Sequence, residues 1–250
     1  MEIQEILITG LILCFAGLAQ SAAGFGYALF ATPLLLLCGM ALPQAITLVV
    51  TCSLCQSLTG LHHLRAVVPW KSSFAASGIR LTGICIGLFA LKVLVQLEPE
   101  KIKLTVGIIL CAIVCLQLIV RPNPQVSPHP AWAGIAFLGS GLLSGICGMG
   151  GPPLVLWSMA QPWDSRKVRA FLFGVFSCSL PVQLILLSLT FGMEILRFAG
   201  LGLLLFPFVW LGTMMGLPIG NRIEKPQLQK IACLILLVVG TGSIWSVLKP

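Results

Sequence analysis

The sequence predicts an all-α integral membrane protein built from two related halves. Three observations predict it. Hydrophobic residues make up 58% of the 250 positions and charged residues 9%, more apolar surface than one soluble core of this size can hide. Apolar runs of roughly 20 residues, the length that crosses a hydrocarbon layer about 30 Å thick, recur throughout the chain. A glycine-rich pattern from the first half returns in the second at an almost constant offset.

The elements follow in order. The opening "MEIQEILITG" has neither the basic stretch nor the small-residue cleavage site of a secretory signal, so its apolar run is read as the first membrane element. That element is an interrupted block, Ile6 to Cys38, broken by "GFG" at Gly24 to Gly26. Spanning helices are then expected at Leu42 to Leu61, Ser72 to Val95 and Ile102 to Val120. A polar, proline-rich stretch, "RPNPQVSPHP", separates the copies. This sets a first repeat at 1–120, a linker at 121–130 and a second repeat at 131–250. The second interrupted block runs from Trp132 to Ala160, with its break at "GMGGPP", Gly148 to Pro153. Helices at Ala170 to Leu189, Phe198 to Gly216 and Leu228 to Leu248 complete the second copy.

The duplication rests on aligned residues. "GLAQSAAGFG" lies over "GLLSGICGMG", pairing Gly17 with Gly141, Gly24 with Gly148 and Gly26 with Gly150. "TCSLCQS" from Thr51 lies over "SCSLPVQ" from Ser177, and each half carries one GxxxG, Gly83/Gly87 and Gly212/Gly216. Those GxxxG pairs are expected at tight helix contacts.

As single crossings the interrupted blocks would measure about 50 and 43 Å, too long even for a tilted helix. A hairpin or re-entrant pair is expected instead, with the break at its tip. Three crossings then remain per half, and an odd number makes the halves inverted repeats. Apart from Arg80, nine Lys and Arg fall on the side of Arg65, Arg166 and Arg169, against five opposite. The positive-inside rule makes that side cytoplasmic and puts both termini in the periplasm. Single-crossing blocks give the same count, so length alone favours inversion.

Helix breakers inside a bilayer require a reason, because unpaired backbone groups there cost several kcal/mol each. Transporters use discontinuous helices in inverted repeats to aim half-helix N-termini at an anionic substrate. The helices after the breaks are expected to start at Tyr27 and near Leu154, with Pro152 and Pro153 in the first turn, where no N–H is needed. The alternative is that Gly, Ala and Ser serve close helix packing.

Around the breaks, Gln20, Ser21, Gly24, Phe25, Gly26, Ser144, Gly148, Gly150, Gly151 and Pro152 are the candidate substrate-binding residues. Cys147 is the cysteine best placed to meet a substrate, with a small packing role as the alternative. Gln56 and Gln183, mid-helix in corresponding elements, either line the same cavity or bond between helices. Arg80 lies about two turns inside a span; intramembrane charge is expensive enough to imply function, although a snorkelling Arg would explain it equally.

Other function classes find little support. The 15 Lys and Arg are scattered singly rather than gathered into a stripe for nucleic acid. The ten Cys lie mostly in apolar runs, where Cys packs as a small hydrophobe. "GMGGPP" lacks the Lys-Ser/Thr of a phosphate loop, and no acid pair or catalytic triad is recognisable, so neither an enzyme nor a cofactor or metal site is expected.

"AQSAAGFGYALFATPLLLL" from Ala19, with "GICGMGGPPLVLW" from Gly145 and the basic "HHLRAVVPW" from His62, resembles the sulfite exporter TauE/SafE family of bacterial membrane permeases. The resemblance implies transport of sulfite, sulfonates or related sulfur-containing organic acids across the inner membrane. It points to the same glycine-motif residues as the binding positions. Gln56 stands where an Asn is expected nearby. The implied partners are a small anion and the bilayer, with a homodimer as an expected assembly. Alternating access would rock one half against the other; an anion channel, or an enzyme working through Cys147, are the alternatives.

Overall fold

The computed structural model describes residues 3–23, 26–119, 130–222, 234, 236–238 and 240–242. Every regular element among them is helical. The first block is split into α1 (Ile3–Ala23) and α2 (Tyr27–Leu37). Then come α3 (Leu42–Leu64), α4 (Trp70–Leu94) and α5 (Pro99–Ile119). The second block is split into α6 (Pro130–Cys147) and α7 (Gly151–Met159), followed by α8 (Ser165–Phe191) and α9 (Leu196–Arg222). Six of the described helical stretches are long and apolar enough to cross a membrane. Residues 234, 236–238 and 240–242 are helical, as expected within Leu228 to Leu248; the rest of that element, and nearly all of the linker, lie outside the described residues.

Both interrupted blocks fold back on themselves. Phe15 and Phe30 meet edge to face at 5.7 Å between ring centroids, although a continuous helix would hold them about 22 Å apart. Phe137 and Trp157 lie 4.7 Å apart across the second break. There a cluster of Phe137, Trp157, Trp163 and Phe171 pins α7 to α6 and α8. Gly39, at φ 88°, ends α2 in a left-handed turn with Gly39 N–H bonded to Leu36 O and Met40 N–H to Leu35 O. Glu5 and Thr9 border one small cavity with Cys38 and Met40, so α2 returns to the end where α1 begins.

Glycines set the closest helix contacts. Along α1 and α9, Gly10 faces Phe208, Cys14 faces Gly212 and Leu18 faces Gly216, so the two run in the same direction. Along α4 and α6, Arg80 and Gly83 face Gly141 while Gly87 faces Gly145, again in the same direction. A Cβ on Gly83 would overlap the Leu138 carbonyl oxygen, and one on Gly212 the Cys14 carbonyl. Lipid supplies no hydrophobic force between helices, so this backbone approach supplies the packing energy. Both GxxxG pairs therefore work as the sequence suggests.

The central pair is α3 and α8. Gly60, near the end of α3, meets Phe173, near the start of α8, so these helices run oppositely. α9 runs with α3, since Leu48 and Thr51 touch Gly202 while Gln56 reaches Thr213. α4 runs with α8, since Ser77 reaches Val175 and Arg80 reaches Ser179. Together these registers make α1 and α6 run in opposite senses. Phe89, Leu189 and Leu204 are among many large apolar side chains on the outside, a surface suited to hydrocarbon and not to water.

Candidate functional site

The two hairpin tips meet at one cavity of about 530 Å³. Gln20, Ser21, Gly26 and Tyr27 border it from the first hairpin; Ser144, Gly148, Gly150, Gly151 and Pro152 border it from the second. One wall is the α3 face carrying Ser53, Gln56, Ser57 and His63. The facing wall, Leu172, Phe173, Phe176 and Leu180 of α8, is apolar, and Phe206 and Trp210 of α9 extend it. The cavity opens where exposed His63 ends α3 and exposed Arg169 begins α8.

Arg80 reaches the cavity among the largest fully buried side chains of the protein, only 1% exposed. It does not snorkel. Its Nε donates to Ser140 Oγ at 3.1 Å, its Nη2 to Ser144 Oγ at 2.8 Å and its Nη1 to Ser179 Oγ. The Phe176 ring lies 5.2 Å from its Cζ, a cation–π contact. No Asp or Glu stands among the described residues lining the cavity. The charge is solvated by hydroxyls and, among the described residues, left without a counter-ion.

Each hydroxyl is itself fixed. Ser140 donates onward to Gly150 O, Ser144 to Gln183 Oε1 at 2.8 Å and Ser179 to Val175 O at 2.7 Å. Gln183, fully buried, closes a loop by donating its Nε2 to Ser144 O at 2.8 Å. The guanidinium has five N–H donors. Three serve the serines, and one remains on each terminal nitrogen.

The helix starts contribute unequally. No side chain caps α2 or α7. α2 begins at Tyr27, as expected, behind Gly26 in the left-handed region at φ 103°, and its first-turn N–H groups have no acceptor within the helix. α7 begins at Gly151, three residues before the expected Leu154, and Pro152 and Pro153 occupy its first turn. Two of its early donors are therefore missing, and beside Gly150 the positive group is Arg80: a Cβ on Gly150 would come within 3.0 Å of Nη2.

Of the residues singled out in the sequence, Gln20, Ser21, Gly26, Gln56, Arg80, Ser144, Gly148, Gly150, Gly151 and Pro152 come together around the cavity. Gly24 and Phe25 lie outside the described residues. Cys147 is buried in the last turn of α6 with its thiol donating to Leu143 O at 3.2 Å, and does not border the cavity. Gln183 stands behind Ser144, and Gln56 donates to Thr213 Oγ1 at 3.2 Å across to α9. Sequence reasoning did not pick out Ser140. Its signal was the spacing of four from Ser144, which puts both hydroxyls on one face of α6. Among the described residues no group of three or more His, Cys, Asp or Glu is placed to hold a metal.

No curated protein and no solved structure matches the chain. A family model does: the one described as sulfite exporter TauE/SafE matches residues 9–242, nearly the whole sequence, both hairpins and the Arg80 network included. This multi-pass membrane protein therefore belongs to the TauE/SafE sulfite exporter family of transporters.

Proposed function

We propose that the protein is a secondary permease carrying a small sulfur-containing anion, sulfite or a short sulfonate or sulfur-containing organic acid, across the bacterial inner membrane. The observation that carries this reading is Arg80, a buried cation without a counter-ion among the described residues, on a cavity that reaches one face of the helix bundle. An anion completes the charge pairing that the fold leaves open, with the Gly150 and Gly151 amides and the start of α2 as further donors.

In this reading the two halves are inverted repeats, supported by the opposite senses of α1 and α6. The basic ends of α3 and α8 then face the cytoplasm under the positive-inside rule, both termini are periplasmic, and the conformation is open inward.

The test is uptake by proteoliposomes of labelled sulfite and of labelled methanesulfonate, with and without either anion inside. A permease gives saturable uptake accelerated by anion on the far side, and Arg80→Gln abolishes it. Uptake that never saturates and shows no such exchange replaces the permease with a channel. Uptake unchanged in the Arg80 variant removes the site.

A further inference from the structure

We infer, resting on the site just proposed, that the same cavity holds a second, uncharged subsite built by Gln20, Ser53 and Ser57. It receives a hydrogen-bonding group at the far end of an organic anion whose charged end lies at Arg80. The juxtaposition that assigns it is a repeat of the Arg80 shell without the cation. The glycine seams give the correspondence: Gly141 faces the Arg80 carbonyl as Gly17 faces the Val209 carbonyl, and Gly83 and Gly87 face Leu138 and Leu142 as Gly212 and Gly216 face Cys14 and Leu18. Val209 thus stands beside the first hairpin where Arg80 stands beside the second. In the aligned glycine motifs Gln20 lies over Ser144. In "TCSLCQS" over "SCSLPVQ", Ser53 lies over Ser179 and Ser57 over Gln183.

The two shells differ in what their polar groups do. Around Arg80, Ser144 is bonded to Gln183 at 2.8 Å and Ser179 to Val175 O at 2.7 Å. In the counterpart, Gln20 Oε1 has no partner, and neither Ser53 nor Ser57 makes a side-chain hydrogen bond among the described residues. Helix geometry does not impose this, since Thr47, Thr51 and Thr59 of the same helix each donate to the carbonyl four residues earlier. Ser57 is only 3% exposed and borders the cavity with Ser53 and Gln20. Tyr27, on the same hairpin as Gln20, also borders it with an unpartnered hydroxyl. Buried polar groups left unpaired cost more than a made bond returns, so this end of the cavity calls for a partner. Val209 brings no charge, and hydroxyls and an amide both donate and accept; the group that matches them is neutral and does the same, a hydroxyl or an amide. A cavity of about 530 Å³ lies within the range of about 300–1,000 Å³ that takes organic ligands, and its apolar wall suits the carbon chain between the two ends.

The probes are hydroxyalkanesulfonates with two, three and four carbons, each set against the alkanesulfonate that carries a methyl in place of the hydroxyl. Thermal stabilisation of the purified protein by each is titrated, with Arg80→Gln as the control that removes the charged end. A purely apolar cavity would favour the methyl compound, because burying the extra carbon raises affinity about fourfold. The subsite reverses that order: at the chain length that spans the cavity, the hydroxyl compound is expected to bind about tenfold more tightly. In the double variant Ser53→Ala, Ser57→Ala the hydroxyl compound should weaken and the methyl compound should gain, a crossing that damaged packing would not give; should that variant not fold, the series on the native chain decides. Preference for the methyl compound, or no preference, at all three lengths overturns the inference and, where binding depends on Arg80, leaves the permease standing. A hydroxyl preference that survives both substitutions also overturns it. Absence of any Arg80-dependent stabilisation by these sulfonates or by sulfite overturns both.

Discussion

Arg80 is held by three hydroxyls and one ring instead of a carboxylate, and this arrangement fixes the sign of its mutation. Burying an ion costs several kcal/mol even after relaxation, and serines return only part of that. Arg80→Gln should therefore keep or raise the melting temperature while transport falls about 100-fold or more, the loss of two charge-assisted bonds to the anion. A fall in melting temperature with transport intact would make Arg80 structural. Neighbouring glycines separate in the same way. A Cβ on Gly150 would lie 2.5 Å from Ser140 O, whereas one on Gly151 meets nothing within 4 Å. Gly150→Ala is expected to destabilise by about 1–3 kcal/mol through overpacking. Gly151→Leu should leave melting unchanged and stop uptake by filling the cavity; unimpaired uptake in Gly151→Leu would put the anion elsewhere. Position in the chain made Gly150 and Cys147 look equally close to the break. What the sequence does not display is the direction each faces: Cys147 turns into the last turn of α6, and Ser140, seven residues away, turns toward Arg80.

At the scale of elements, the α4–α6 seam is four glycines deep, and each Gly83 or Gly87 contact is backbone against backbone. Gly87→Ala would drive a methyl into the Leu142 carbonyl, while Gly139, on the facing α6, has nothing within 4 Å of its Cβ position. Gly87→Ala should lower the melting temperature by several degrees and Gly139→Ala should not, measured by thermal unfolding in the same detergent; the reverse order would remove the seam as a source of stability. The seam was legible as GxxxG, and the hairpins as blocks too long for one crossing, because both are statements about length and size. Boundaries were less legible. α8 begins at Ser165, five residues before the expected Ala170, because Asp164 accepts the Lys167 N–H and starts a turn in the charged stretch outside the apolar run. The start of α7 shows the same limit. Its prolines were visible in the sequence, yet their removal of two amides from the anion's surroundings mattered only once Arg80 stood beside Gly150.

Over the whole molecule the closest contacts cross between the proposed halves: α1 lies along α9 and α4 along α6, while α3 and α8 meet at the centre. A motion that rocked residues 1–120 as one body against 131–250 would break both glycine seams. The glycine seams instead tie each hairpin to a helix of the other half, and the Arg80–Ser179 bond and the Phe137, Trp157 and Phe171 cluster hold one of these pairs to α8. The sequence pattern points to duplication without showing this exchange, since nearly constant offsets speak of ancestry and not of neighbours. The charge count assigned an orientation but could not choose between the topologies, because it is nine to five for either. Thiol labelling tests the orientation. Cys38 is exposed beside the small cavity at one end, and Arg169 is exposed at the mouth of the large cavity at the other. In a background otherwise free of cysteine, a membrane-impermeant reagent added to cells with a permeabilised outer membrane should label Cys38, whereas Arg169→Cys should react only after the inner membrane is opened. Substrate should slow the second reaction, because an anion bound at Arg80 favours closure of the mouth. Labelling of Arg169→Cys from outside would turn the molecule over, making the basic mouth periplasmic and the inward-open reading wrong.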